Sequence, residues 1–151
     1  MLKTETIKSL KEENDIKEVI TKKNANSFLK ENQKAIGVPV LKGGSFILDE
    51  VKNYYQLLNE DLSDVENIEL VTAYHFGGYA KHKPELIEFM RSFYSQTGVK
   101  TDPVYTGKLF FALMDLIKSN YFPESSKIVV VHTGGLQGIA GFEERYKTKI
   151  F

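Results

Sequence analysis

The stretch Ile128-Val129-Val130-Val131-His132-Thr133-Gly134-Gly135-Leu136 decides how the rest of the chain is read. Four consecutive branched apolar residues are the pattern of a strand buried on both faces, as in a parallel sheet, where the usual polar alternation is lost. The run ends in a hydroxyl and two glycines. That is the place where open α/β sheets bind ligands, at the carboxyl ends of their strands. Paired glycines let the backbone approach a ligand closely and expose N–H groups, and the Thr133 hydroxyl can meet a heterocycle nitrogen. Taken alone, glycines after a strand are more often plain turn formers.

Upstream, helical and extended patterns alternate. Thr106 begins a helix with Leu109, Phe110, Leu113, Leu116 and Ile117 on its buried face, and Pro123 follows its end. Pro84 opens an earlier helix striped by Leu86, Ile87, Phe89, Met90, Phe93 and Tyr94, with Gly98 at its stop. The spacing predicts helices over about 84–97 and 106–119. Residues 68–74 read as a strand that Gly77-Gly78 breaks. Residues 48–58 read as a helix with Leu48, Val51, Tyr54, Tyr55 and Leu58 on one face. Residues 35–41 read as a strand near an edge or ending early, because Pro39 cannot donate a ladder hydrogen bond. Such alternation predicts an α/β fold of three layers with a mainly parallel sheet. Residues 1–33 differ: Lys and Glu surround Ile7, Leu10, Ile16, Val19 and Ile20 at loosely helical spacing. They read as a charged helical arm ahead of an α/β part over residues 34–151.

Composition narrows the function classes. The 151 residues are 42% hydrophobic and 26% charged, the balance of an ordinary globular domain with a real core. Twenty basic residues offset twenty acidic ones, which gives no electrostatic argument for nucleic acid or an anionic membrane. The absence of cysteine excludes disulfides and thiolate metal sites, and His75, His82 and His132 lack metal-ligand spacing, so no metal is expected. No apolar run is long enough to span a bilayer, and the N-terminus lacks the apolar core of a secretory signal. A cytoplasmic protein is the default expectation.

Two further segments carry residues that core packing does not require. Asp102-Pro103-Val104-Tyr105-Thr106-Gly107-Lys108 leads into a helix whose N-terminal N–H groups attract anions; the plain alternative is that Tyr105 packs and Thr106 caps the helix. Tyr74-His75-Phe76-Gly77-Gly78-Tyr79-Ala80-Lys81 sets polar-tipped aromatics beside two glycines. It reads either as a surface aromatic cluster or as the source of a tyrosine proton donor.

Taken in order, these motifs resemble the C-terminal part of the D-cysteine desulfhydrase / 1-aminocyclopropane-1-carboxylate deaminase family, which belongs to the tryptophan-synthase-β-like, fold-type II pyridoxal-phosphate enzymes. Ala35-Ile36-Gly37-Val38-Pro39-Val40-Leu41-Lys42-Gly43-Gly44 fits as well, so the resemblance covers residues 33–145. It implies a pyridoxal-phosphate cofactor and a small amino-acid substrate. Thr133, with Gly134 and Gly135, matches the group near the cofactor's pyridine nitrogen. Tyr105 matches a substrate-facing tyrosine implicated in proton transfer, and Tyr79 a second active-site tyrosine. Thr106 stands beside the cofactor ring where the aminocyclopropane-carboxylate deaminases carry glutamate, which tilts the resemblance toward desulfhydrases. His132 is expected to support the loop from behind.

The family's Schiff-base lysine and its glycine-rich phosphate loop lie in its N-terminal half. Lys22-Lys23-Asn24 does not match the lysine's context, and residues 15–32 contain no glycine. The expectation is therefore a partial lyase or deaminase, truncated or split, that is inactive alone. It would act with a complementary N-terminal chain or a second copy of itself. The alternative is a non-catalytic remnant serving as a protein-interaction module.

Overall fold

The computed structural model describes residues 33–58 and 62–151. The charged arm expected over residues 1–33 lies, except for Gln33, outside the described residues. The architecture is α/β with a small parallel sheet of two strands, β1 (Ala35–Gly37) and β2 (Ile68–Leu70). The helices among the described residues are α1 (Ile47–Leu57), α2 (Pro84–Thr97), α3 (Thr106–Lys118) and α4 (Gly138–Tyr146). None is long and apolar enough to cross a membrane.

The chain divides into two compact units. The described part of the first comprises residues 33–36, 48–58 and 62–69. Val65 is its buried hydrophobic residue. The apolar face expected of α1 is largely open: Tyr54, Leu57 and Leu58 are exposed, and no residue of the helix is buried.

The second unit comprises residues 37–47 and 70–151 and carries the segments around Tyr79, Tyr105 and Thr133. Its core is Phe76, Leu86, Ile87, Met90, Phe142 and Ile150, with Phe89, Phe111 and Tyr146 packed against it. Helix α2 begins at Pro84 and ends on Gly98, whose φ of 72° makes the left-handed cap that glycine adopts without strain. Helix α3 packs on α2 through Gly107. A Cβ there would lie 2.9 Å from Met90 Sδ and 2.7 Å from the Asp102 carbonyl, so only hydrogen fits. Of the apolar face that the spacing predicts, Phe110 and Leu116 are buried and Leu109 and Leu113 partly so. The buried residues are Thr106, Gly107, Lys108, Phe110, Ala112 and Leu116, while Ile117 is exposed. Helix α4 was not expected; Gly138 and Gly141 hide its periodicity. Beyond it, the Ile150 amide donates to Glu143 Oε1 at 2.6 Å and Lys149 Nζ to Oε2 at 3.1 Å. These two bonds, the amide's first, hold the Glu143 carboxyl below the usual carboxylate range.

Residues 128–131 depart from expectation. They form no ladder, and their backbone groups have no backbone partner among the described residues. Val129 is 73% and Val131 55% exposed. The four-residue apolar run demands neighbours on both sides and both faces; the described residues give its backbone no partner and half-bury only Ile128 and Val130. The strand predicted over 68–74 likewise stops at Leu70, where the chain enters a 3-10 turn (Thr72–His75).

Candidate active site

The site is built on the entry to α3. Asp102 is 2% exposed. Its Oδ1 accepts the amides of Val104 at 2.8 Å and Tyr105 at 2.7 Å. Its Oδ2 accepts the Thr106 amide at 2.8 Å and the Thr106 hydroxyl at 2.6 Å. The Thr106 hydroxyl in turn accepts the Asp102 amide at 2.8 Å. Asp102 thus satisfies the N–H groups that a helix start leaves unpaired, and its charge suits the positive end of the helix dipole. The anion at this helix start is the chain's own carboxylate. Thr106 is buried with its hydroxyl committed to Asp102.

One helical turn further, Lys108 is fully buried. Its Nζ donates to the carbonyls of His75 at 2.9 Å and Gly78 at 2.8 Å. Burial pulls the ammonium down to about 8, against an opposing pull from Asp102. The tethered loop is further held by the Gly77 amide, which donates to His75 Nδ1 at 2.9 Å. The loop presents Tyr79 to Tyr105: the Tyr105 hydroxyl donates to Tyr79 Oη at 3.1 Å, and the rings meet edge to face at 5.9 Å. Both side chains are half exposed. The bond to Tyr79, with desolvation and the Asp102 charge behind it, raises the Tyr105 phenol above its ordinary value. The Tyr105 hydroxyl hydrogen is thus directed at Tyr79, and the phenol holds it more tightly than a free tyrosine does.

The third segment leans on the first. A Cβ on Gly135, whose φ is 86°, would come within 3.0 Å of Asp102 Oδ2, so the loop backbone lies against the helix-capping carboxylate. His132 fixes the loop from behind. The Gly134 amide donates to its Nδ1 at 3.1 Å, which leaves the proton on Nε2, directed at the Lys100 carbonyl 2.8 Å away. Gly134, with φ 88°, faces open space, and the exposed Thr133 hydroxyl has no partner among the described residues. Tyr79, Tyr105, Thr106 and Gly135 are thus linked through contacts of a few ångströms. Thr133 joins them through the loop and makes no hydrogen bond to either tyrosine.

Comparison with known proteins sets this geometry in a family. The chain is 36% identical over 115 residues to a Pyrococcus furiosus protein provisionally named 1-aminocyclopropane-1-carboxylate deaminase, a match covering 74% of this chain and 34% of that protein. A Pyrococcus horikoshii protein of the same provisional name is 34% identical over 113 residues, again 74% of this chain and 34% of the relative. The chain belongs to the D-cysteine desulfhydrase / 1-aminocyclopropane-1-carboxylate deaminase family. The 1-aminocyclopropane-1-carboxylate deaminase of Rhizobium rhizogenes is 36% identical over 90 residues, or 60% of this chain and 26% of that enzyme. The match thus spans between about a quarter and about a third of the length of these curated relatives. No protein-family model matches it.

The family's members are pyridoxal-phosphate enzymes, and the loop over residues 133–135 fits one end of that cofactor. A free hydroxyl and an unobstructed glycine backbone are what a pyridine ring edge needs beside it. The sequence from Gln33 onward does not repeat the family's glycine-rich phosphate loop.

Two residues that organise the site escape motif reading. Asp102 had a signal: an aspartate directly before proline, four residues ahead of the helix, is a favoured capping position. Lys108 had a subtler one, since it sits on the same i, i+4 row as the buried Ala112 and Leu116. A cation on an apolar row needs its own partners.

Proposed function

We propose that this chain supplies the substrate-facing and ring-facing residues of a pyridoxal-phosphate-dependent lyase or deaminase resembling D-cysteine desulfhydrase, and that it acts in the cytoplasm. The Tyr79–Tyr105 hydroxyl pair beside the Asp102-anchored glycine loop carries this reading. When bound, pyridoxal phosphate supplies the electron sink that acidifies the substrate's Cα–H bond. Thr133 would pair with the ring nitrogen through its hydroxyl, with Gly134 and Gly135 giving the ring edge close backbone contact. Thr106 acts at one remove, holding Asp102 and with it the start of α3. Tyr105, paired with Tyr79 through its hydroxyl, serves as the proton-transfer group facing a small amino-acid substrate, and Tyr79 shares that proton. Threonine rather than glutamate at position 106 favours elimination of sulfide from D-cysteine, with pyruvate and ammonia as co-products, over opening of a cyclopropane ring. Residues 34–151 act as the α/β part. The lysine and the phosphate cradle would come from the part of the family's length that this chain does not span.

The test combines this chain with the portion of the Pyrococcus furiosus relative that it does not span, and measures sulfide released from D-cysteine. Cofactor-dependent release is expected, and Tyr105→Phe should lower turnover roughly a hundredfold, the usual effect of removing a positioned proton donor. Thr133→Val should instead shift the cofactor's absorbance first, because the ring nitrogen loses its partner. A complex that forms but leaves D-cysteine intact, or Tyr105→Phe with unchanged kinetics, overturns the proposal.

A second reading has one observation in its favour. Among the described residues, 128–131 have no backbone partner and expose Val129 and Val131, an edge of the kind that recruits another strand. On this reading the chain is a non-catalytic remnant that binds a partner or a second copy of itself. A stable complex without turnover under the same assay would favour it.

A further inference from the structure

We infer that Lys108 is the positioning residue of the tyrosine pair: its buried ammonium pins the loop that carries Tyr79 to the helix that carries Tyr105. The two tyrosines come from distant parts of the chain and share one hydrogen bond between half-exposed phenols. Such a contact has little packing of its own to hold it. Lys108 provides the hold. It lies in the first turn of α3, three residues after Tyr105, which is the N-cap of that helix, so the two backbones are held together. Its two acceptors, the carbonyls of His75 and Gly78, bracket the turn that delivers Tyr79.

Two further observations show that the arrangement is kept against a free-energy penalty. Among the described residues no carboxylate lies within ion-pair distance of Lys108, yet it is fully buried. A buried cation without an ion pair is destabilising, and an apolar side chain of the same length would fill the position more favourably. The loop it holds is also strained. Phe76, Gly77, Gly78 and Ala80 have φ of 53°, 100°, 127° and 52°, and two of these are not glycine. Backbone strain of this kind persists where surroundings over-determine it, and it accompanies pre-organised sites. Here the strain and the buried charge meet at the two peptide groups before Tyr79. The catalytic value of this positioning rests on the function proposed above; the test reads the tyrosines directly and so fails independently of it.

The full chain is prepared with 13Cζ-tyrosine and 15Nζ-lysine, and the Tyr105 phenol is titrated by NMR. In Lys108→Met, which keeps the volume and removes the donors, the Tyr105 titration should move down toward that of an ordinary tyrosine, with far-UV circular dichroism retained. Lys108→Arg, which keeps the charge and the donors, should restore part of the upward shift. A purely structural lysine would leave the Tyr105 titration unmoved in a folded Lys108→Met, and that result overturns the inference. Should Lys108→Met fail to fold, the wild-type chain decides. At pH 6 one lysine ammonium, absent in Lys108→Arg, should exchange its protons slowly with water. If every lysine exchanges as a surface ammonium does, the inference is wrong.

Discussion

The start of α3 and the apolar run over residues 128–131 look equally committed to the fold in sequence, and they fare differently. At the α3 start, each strong group finds its partner nearby. Asp102 caps four polar hydrogens from the three residues that follow Pro103, Gly135 closes on that carboxylate, and Lys108 is bound by two carbonyls. The run over 128–131 needs neighbouring strands, and the described residues leave its backbone unpaired and two of its valines exposed. A locally satisfied motif can keep its geometry without the sheet it was built to serve. A buried parallel strand cannot, because its stability comes from covered faces and ladder bonds.

The difference can be broken or sharpened by substitution. Asp102→Ala should have the largest effect, about 3 kcal/mol in urea unfolding, since it strands buried amides as well as removing the cap. A loss below about 1 kcal/mol would mean that water satisfies those donors and that the α3 start is not self-contained. Gly135→Ala and Gly134→Ala form a pair with nearly equal positive φ, 86° and 88°. Both incur backbone strain of about 1 kcal/mol, but only Gly135→Ala also drives a methyl against Asp102. Gly135→Ala should therefore be the less stable, and equal thermal midpoints would separate the glycine loop from the cap.

Lys108 predicts a pH dependence. Its folded-state value of about 8 lies below the ordinary 10.5, so between these values the unfolded chain binds more protons than the folded one. Stability from this group therefore rises with pH above about 8, and the rise should vanish in Lys108→Met. Tyr74 and Tyr105, both raised from 10.0, act in the opposite sense only at higher pH, which leaves pH 8 to 10 as the window to measure. At the small end, Val129→Thr with Val131→Thr should change stability by less than about 0.5 kcal/mol, because neither side chain is covered. The same pair should reduce self-association in sedimentation; a large loss of stability would show that the strand is covered after all.

Helices α1, α2 and α3 were legible because their boundaries rest on local chemistry: Pro84 and Gly98 bracket α2, and a stop follows α3 before Pro123. The meeting of Tyr79 with Tyr105 was legible only through motif order, since no local rule joins positions 26 residues apart. The close seat of α3 on α2 was not legible, because it is set by Gly107 against Met90, a contact between two helices. Helix α4 was missed because glycines at 138 and 141 lower its helical propensity, and packing of Phe142 into the core restores it. The unpaired state of residues 128–131 could not be read from their composition, since the same residues are ideal for a strand whenever neighbours exist.

The proposed division of labour between this chain and the unspanned part of the family's length is tested most directly by trapping the cofactor. The chain is mixed with pyridoxal phosphate, alone and together with the unspanned portion of the Pyrococcus furiosus relative, then reduced with borohydride and mapped for pyridoxyl-lysine. The label should appear stoichiometrically on one lysine of the complementary polypeptide, and on no lysine of this chain in either mixture. Stoichiometric label on a lysine of this chain, Lys108 above all, would contradict the division and make this chain the carrier of the cofactor.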